Sequence, residues 1–208
     1  VSPRVLDGRG DPPREDVIEE AARLLGAGRL LIYPTDTLYA LGGRALDGAV
    51  AAGVFAAKGR ETGKPLPLIA ADEAQARALL ASWPETAARI ARSFWPGPLT
   101  LVLPASDAVP SEVTGGTGTL AVRVPALALA RRLCDAAGPL IATSANRAGE
   151  PAPATCEEAL GAVGASCAAA IDAGPLGRAP STLVDVTGEP RLLRAGAVPW
   201  DAVRAVLR

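Results

Sequence analysis

Residues 30–43 read Leu-Leu-Ile-Tyr-Pro-Thr-Asp-Thr-Leu-Tyr-Ala-Leu-Gly-Gly. The run Leu30 to Tyr33 is apolar, short and halted by Pro34, which reads as a buried strand; a helix needs a longer periodic stretch. Thr35, Asp36 and Thr37 follow at once, in a place where strand packing has no use for them. A strand opening into hydroxyls, a carboxylate and glycines is how open α/β sheets gather ligands at their strand ends.

On the N-terminal side, residues 14–27 set Val17, Ala21, Leu24 and Leu25 on one face. Acids fall early and Gly28 closes the stretch, as a helix requires. Residues 1–13 hold Arg4, Asp7, Arg9 and Asp11 without an apolar run, so a signal peptide is not expected there. On the C-terminal side the pattern predicts helices over 48–57, 73–81, 85–94, 127–137, 155–163 and 200–207. Strands are predicted over 67–70, 99–103, 120–124, 140–142, 168–172, 182–186 and 191–193. Strands and helices mix without strict alternation, and no linker or repeat interrupts them. The expected fold is therefore α/β, a single domain with a twisted open mixed sheet and flanking helices.

Composition narrows the chemistry. Of 208 residues 49% are hydrophobic but only 3% aromatic, which predicts a core of small aliphatic side chains. The net charge of −1 gives no global field for nucleic acid, though a pocket needs only a few local cations. No run of eighteen apolar residues suggests a membrane span. Cys134, Cys156 and Cys167 are widely spaced with no CxxC, so reduced, buried thiols in a cytoplasmic protein are expected. The chain has no histidine, which removes His-based triads, His general bases and His metal ligands together. Of 21 basic residues only Lys58 and Lys64 are lysines, and both fall in Lys58-Gly-Arg-Glu-Thr-Gly-Lys64.

Four polar clusters need an explanation: Thr35-Asp-Thr37, Lys58-Gly-Arg60, Arg123 inside a strand, and Thr143-Ser-Ala-Asn146. Each has a plain structural alternative. The threonines could cap a short helix, Lys58 and Arg60 could be solvated cations at a helix C-terminus, and Ser144 and Asn146 could be turn formers. Arg123 is harder to set aside, because a strand interior rarely buries a guanidinium without an anionic partner. Arg60, Lys64 and Arg194 could neutralise a triphosphate, and Arg123 could pair with a carboxylate through two parallel hydrogen bonds. No Walker-type loop or metal-ligand spacing is present. The residues alone predict a site for a small anionic ligand, with a nucleotide as one candidate.

The clusters, taken in order, resemble the YrdC-like family of threonylcarbamoyl-AMP synthases. The resemblance runs from about residue 14 to residue 200 through Tyr33-Pro-Thr-Asp-Thr-Leu-Tyr-Ala-Leu-Gly42, Lys58-x-Arg60, Phe94-Trp-Pro-Gly-Pro-Leu-Thr100 and Val122-Arg-Val-Pro125. It continues through Thr143-Ser-Ala-Asn146, Ser181-Thr-Leu-Val-Asp185 and Leu193-Arg-Ala-Gly196. It implies a large, positively lined cleft, with Lys58, Arg60, Ser144 and Asn146 as the signature lining the nucleotide side. It puts Arg60, Lys64, Thr119, Ser144, Asn146 and Arg194 near ATP, and Thr37, Arg123 and Ser181 near L-threonine.

The implied reaction joins L-threonine, bicarbonate and ATP to give threonylcarbamoyl-AMP and pyrophosphate, for threonylcarbamoyladenosine in tRNA. Mg2+ would accompany the triphosphate, with no protein metal site. A downstream threonylcarbamoyl-transferase complex would take the product, and tRNA or double-stranded RNA contact would be weak at most. Four positions depart from the family pattern. Ala40 replaces a glycine, Ile69 stands where some relatives use histidine, and Ala148 and Ala152 replace hydroxyl residues. A carbamoyl-transfer module and an RNA-binding paralogue are the alternatives. The first would be expected beside partner domains, and the second finds little support in near-neutral charge and few aromatics.

Overall fold

The computed structural model describes residues 3–177 and 179–208. Its first half runs β1 (Arg4–Asp7), α1 (Glu15–Gly26), β2 (Leu31–Pro34), β3 (Tyr39–Gly42), α2 (Gly48–Lys58), β4 (Leu68–Ile69), α3 (Glu73–Arg77), α4 (Glu85–Phe94), β5 (Leu99–Pro104) and α5 (Ser111–Thr114). Its second half runs β6 (Thr119–Arg123), α6 (Ala128–Ala137), β7 (Leu140–Ile141), β8 (Thr143–Ser144), α7 (Cys156–Val163), β9 (Ala169–Asp172), β10 (Thr182–Asp185), β11 (Arg191–Arg194) and α8 (Trp200–Ala205).

The mixed α/β architecture is as expected, but its strands divide between two sheets. One has the order β1-β9-β2-β3-β8, the other β11-β10-β5-β6-β4-β7. Both are mixed. β9 runs parallel to β1 and β2, whereas β3 is antiparallel to β2 and β8. In the second sheet the β10–β5 and β4–β6 pairs are parallel and the others antiparallel. Periodicity finds strands but not their partners, which is why one sheet was expected.

The two sheets meet at residues 140–144. β7 belongs to the second sheet and β8 to the first, so the chain passes between them at Ala142. Two residues of the decisive stretch pin this crossing. Tyr33, fully buried, donates its hydroxyl to the Ile141 carbonyl at 2.5 Å. Gly42 lies so close that a Cβ there would stand 1.6 Å from the same carbonyl oxygen, so only glycine fits. Tyr33→Phe is expected to cost about 1 kcal/mol of stability, a typical net value for one internal hydrogen bond. Urea unfolding measures it, and an unchanged midpoint would show that the hydroxyl does not hold the sheets together.

Amphipathic helices complete the layers. α1 and α6 cover one face through Val17, Ala21, Leu25, Leu129 and Leu133, which pack with Leu31, Tyr33 and Ile171. A larger core joins α2, α4 and α7 to the inner strands through Val54, Phe55, Ile90, Leu101, Val122 and Ala159. The three cysteines are buried and free, as expected. Burial pushes the Cys156 and Cys167 thiols up, to about 11 and about 12. No helix among the described residues is long and apolar enough to cross a membrane.

Four local readings change. β1 was not anticipated; only Leu6 of its four residues is buried, too little to leave a pattern in the sequence. Residues 35–38 form the turn of the β2–β3 hairpin, not a helix cap. Thr35 Oγ1 accepts from the Leu38 amide at 3.2 Å and donates to the Leu38 carbonyl at 2.7 Å, closing it. The helix expected over 73–81 is only Glu73–Arg77, since Leu80 instead bridges to Ala105 beside the second sheet. The short helix Ser111–Thr114 was not anticipated.

Candidate active site

A cavity of about 540 Å³ opens where the two sheets diverge. Tyr39, Ala40, Thr143 and Ser144 come from the first sheet, with Thr35 and Thr37 from the hairpin turn. Leu68, Ile69, Thr100, Thr119, Arg123 and Arg194 come from the second. Three guanidiniums, Arg60, Arg123 and Arg194, line it; among the described residues no carboxylate does. A mostly apolar cavity with three cations converging in it suits an anion.

The end of α2 shows how the sequence aims its cations. Gly59 takes a left-handed conformation at φ 57°, and the Arg60 amide reaches back to the Phe55 carbonyl at 3.1 Å. Glycine adopts this helix-ending turn without a Cβ penalty. The turn sends neighbouring cations to different places. Arg60 lines the cavity, while Lys58 is only 4% exposed and is buried against the 144–146 segment. Lys58 Nζ donates to the Ser144 carbonyl at 2.5 Å, the Asn146 carbonyl at 2.6 Å and Asn146 Oδ1 at 3.3 Å. The Ala148 amide returns a bond to the Lys58 carbonyl at 2.9 Å. Burial, and after it the nearby Arg60, push the Lys58 ammonium down to about 8.

Ser144 lines the cavity and donates to Asn146 Oδ1 at 2.5 Å. The Asn146 amide nitrogen holds the Arg147 and Glu150 carbonyls at 3.0 and 2.6 Å. Asn146 therefore does organise a turn, and that turn is fastened to Lys58. Lys64 is exposed in the loop after Arg60, outside the cavity lining, although Pro65 of the same loop contributes to it.

At the other side, Arg123 ends β6 and is 6% exposed. Its Nη2 donates to Thr37 Oγ1 at 2.8 Å and its Nη1 to Asp36 Oδ1 at 2.5 Å. The anionic partner that strand burial demands is thus present in the protein. Ser181 Oγ shares a hydrogen bond with Thr100 Oγ1 at 2.8 Å and accepts from Arg194 Nη2 at 3.2 Å. Arg194 also donates to the Ser181 carbonyl at 2.9 Å. Burial and the Arg123 charge both hold Arg194 below its ordinary value, which leaves it drawn toward an incoming anion. Thr119 Oγ1 pairs with Thr117 Oγ1 at 3.0 Å at the cavity wall.

Of the ten residues singled out from the sequence, the cavity lining brings together Thr37, Arg60, Thr119, Arg123, Ser144, Ser181 and Arg194. Lys58 and Asn146 stand behind the wall, and Lys64 lies on the surface. Sequence reasoning gave no role to Asp36 or Thr100. Asp36 stood inside a cluster that also reads as a helix cap, and Thr100 looked like an ordinary strand residue. Three of the four departures are accommodated. Ala40 sits in regular antiparallel pairing with Ser144, where no left-handed backbone is needed. Ile69 gives the cavity an apolar side chain beside Arg123, its register partner. Ala148 still supplies its amide to Lys58.

Fold and site together define an α/β protein with a cationic, hydroxyl-lined cavity between two mixed sheets. Comparison places it further. The sequence profile of the Sua5/YciO/YrdC family, described as "Telomere recombination", matches residues 23–196, and the chain belongs to that family. It is 39% identical to the threonylcarbamoyl-AMP synthase of Pyrococcus abyssi over 194 residues, which cover 91% of this chain and 57% of that protein. It is 35% identical to a putative threonylcarbamoyl-AMP synthase of Mycobacterium tuberculosis (strain CDC 1551 / Oshkosh), over 91% of this chain and 88% of that one. The crystal structure of P. abyssi Sua5 complexed with L-threonine superposes with a TM-score of 0.93 at 37% identity. The match covers 98% of this chain and 60% of that one.

Proposed function

We propose that this chain is an L-threonylcarbamoyladenylate synthase, a nucleotidyltransferase that makes threonylcarbamoyl-AMP and pyrophosphate from L-threonine, bicarbonate and ATP. One observation carries the reading. A single cavity holds a buried guanidinium beside hydroxyls, at Arg123, Thr37 and Ser181, and further cations beside a hydroxyl, at Arg60, Arg194 and Thr119. The first group fits an amino acid carboxylate and the second a triphosphate. The synthase names of relatives over 91% of the chain support the same assignment.

In this reading Arg123 anchors the threonine carboxylate, with Thr37 and Ser181 fixing the rest of the amino acid. The amine adds to bicarbonate-derived CO2 and loses a proton, giving a carbamate. A carbamate oxygen attacks the α-phosphorus of ATP, the bond to the β-phosphate oxygen breaks, and pyrophosphate leaves. Arg60, Arg194 and Thr119 balance the charge on the phosphates, Lys64 joins them from the loop, and the Ser144–Asn146 turn shapes the nucleotide side. The catalytic contribution is orientation and charge neutralisation, which needs no histidine. ATP enters as its Mg2+ complex. Among the described residues no three His, Cys, Asp or Glu side chains gather, so phosphate oxygens and water are the proposed ligands of that ion. The product would pass to a threonylcarbamoyl-transferase complex that acts on tRNA.

The test is pyrophosphate release from ATP with bicarbonate and Mg2+, with and without L-threonine, and mass spectrometry of the product. Threonine-dependent release with a threonylcarbamoyl adenylate is expected. A folded protein that binds ATP but releases nothing would point to a carbamoyl-transfer or RNA-binding role.

A further inference from the structure

The cavity is lined by three guanidiniums, yet one of them is already countered from behind the wall. Arg123 Nη1 meets Asp36 Oδ1 at 2.5 Å, and the two side chains are 7% and 12% exposed. Asp36 Oδ2 is buried without a hydrogen-bond partner among the described residues, so Arg123 is the cation that balances this carboxylate. Nη1 also lies 3.5 Å from the Gly97 carbonyl, and Nη2 serves Thr37. Among the described residues no acceptor meets Nε–H or the second Nη2 hydrogen. Nε–H together with an Nη2 hydrogen is the side-on edge of a guanidinium, which a carboxylate can take through two parallel bonds.

We propose that Asp36 is a positioning and specificity-determining residue of the amino-acid subsite. Paired to Nη1, it fixes the Nε/Nη2 edge of Arg123 and cancels its net charge, so the subsite accepts a zwitterionic α-amino acid and turns away simple anions. The inference rests on the proposed function. A bare guanidinium in this low-dielectric wall would draw any anion, including the phosphates of ATP and free bicarbonate. With Asp36 attached, a simple carboxylate meets repulsion as well as attraction. A zwitterion carries its own ammonium, which Asp36 attracts, so the same carboxylate is held only when the amine accompanies it. Repulsion of the wrong ligand is as much a source of specificity as attraction of the right one.

The test compares L-threonine with 2,3-dihydroxybutanoate, in which a hydroxyl replaces the ammonium, by calorimetric titration into the full chain. The wild-type protein is expected to prefer L-threonine by at least about tenfold. Asp36→Asn, which keeps the shape and removes the charge, should bring the two affinities to within about threefold. It should do so by weakening threonine and strengthening the hydroxy acid. Asp36→Glu keeps the charge and shifts the geometry, so it should lose affinity for both ligands and retain the preference. Equal binding of the two ligands by the wild-type protein overturns the inference, as does an unchanged preference in Asp36→Asn or a lost one in Asp36→Glu. Should Asp36→Asn fail to fold, the wild-type and Asp36→Glu results decide. A wild-type protein that binds ATP but no threonine removes the proposed function itself, an outcome distinct from the others.

Discussion

Arg123→Ala is expected to raise the KM for L-threonine about a hundredfold and to leave kcat at saturating threonine within a few-fold of wild type. Two bonds to a carboxylate are lost, and nothing else in the cavity replaces them. In the proposed function Arg60 and Arg194 face the phosphates, and Thr37 and Ser181, which also line the cavity, carry no charge. The same change should lower stability by about 3–5 kcal/mol, because Asp36 would remain as a buried carboxylate with its cation gone. The two effects separate in a double variant. Arg123→Met with Asp36→Asn removes both charges and should recover most of the stability, yet it should bind threonine no better than Arg123→Ala. Steady-state kinetics and urea unfolding of the three proteins measure this. A double variant with ordinary threonine affinity would remove Arg123 from the site.

How far the sequence foretold this arrangement depends on which physical signal each element carries. Apolar runs bounded at one end or the other by proline or glycine marked Leu31–Pro34, Leu99–Pro104 and the Leu140–Ile141 strand, because burial on both faces leaves a continuous hydrophobic run. β1 left no such mark, since three of its four side chains face solvent and its place comes from pairing with β9, some 160 residues away. The split into two sheets was equally hidden. It hangs on Gly42 and Tyr33 meeting one carbonyl, and a contact across about a hundred residues has no periodicity.

The site was legible to the extent that a polar residue looked out of place. Arg123 inside an apolar strand announced itself, and its partner did not. Asp36 and its threonines could be read as the cap of a short helix, because Asp and Thr are ordinary N-cap residues. Lys58 shows the opposite failure. A lysine at a helix C-terminus looks like a solvated cation, but Lys58 falls one turn after Val54 on the buried face of α2, and the left-handed turn at Gly59 then redirects Arg60 to the cavity. Residue type predicted a charge there; backbone conformation decided what the charge touches.

That distinction makes Lys58→Ala the second large prediction. Its ammonium has three N–H groups and three oxygens to meet, two of them backbone carbonyls of Ser144 and Asn146. Removing it takes the charged donor from all three: the Ser144 carbonyl keeps the Asn146 amide at 2.9 Å and Asn146 Oδ1 keeps the Ser144 hydroxyl, while the Asn146 carbonyl loses its partner, a cost of about 1–3 kcal/mol. It also frees the turn whose Ser144 lines the cavity. A displacement of about 1 Å at a positioning segment can cost about a hundredfold in rate, so kcat should fall by that order while the threonine KM changes little.

Lys58→Arg should not restore activity, because a planar guanidinium cannot place three donors on a compact cluster. Hydrogen exchange at the Ala148 amide, which bonds the Lys58 carbonyl, reports the loosened turn directly. The wild-type protein offers a second readout through pH. With its folded pKa pushed down to about 8 from an unfolded value near 10.5, Lys58 is protonated in both states below pH 8. Between about 8 and 10.5 the unfolded chain binds the extra proton, so the contribution of this group to stability rises with pH. Over the same range the neutral amine turns a lone pair toward one of its three oxygens, and the turn it fastens loosens. Activity should therefore decline through about pH 8 while this component of stability increases. A parallel fall of both, or a decline that survives in Lys58→Ala, would assign the titration to another group.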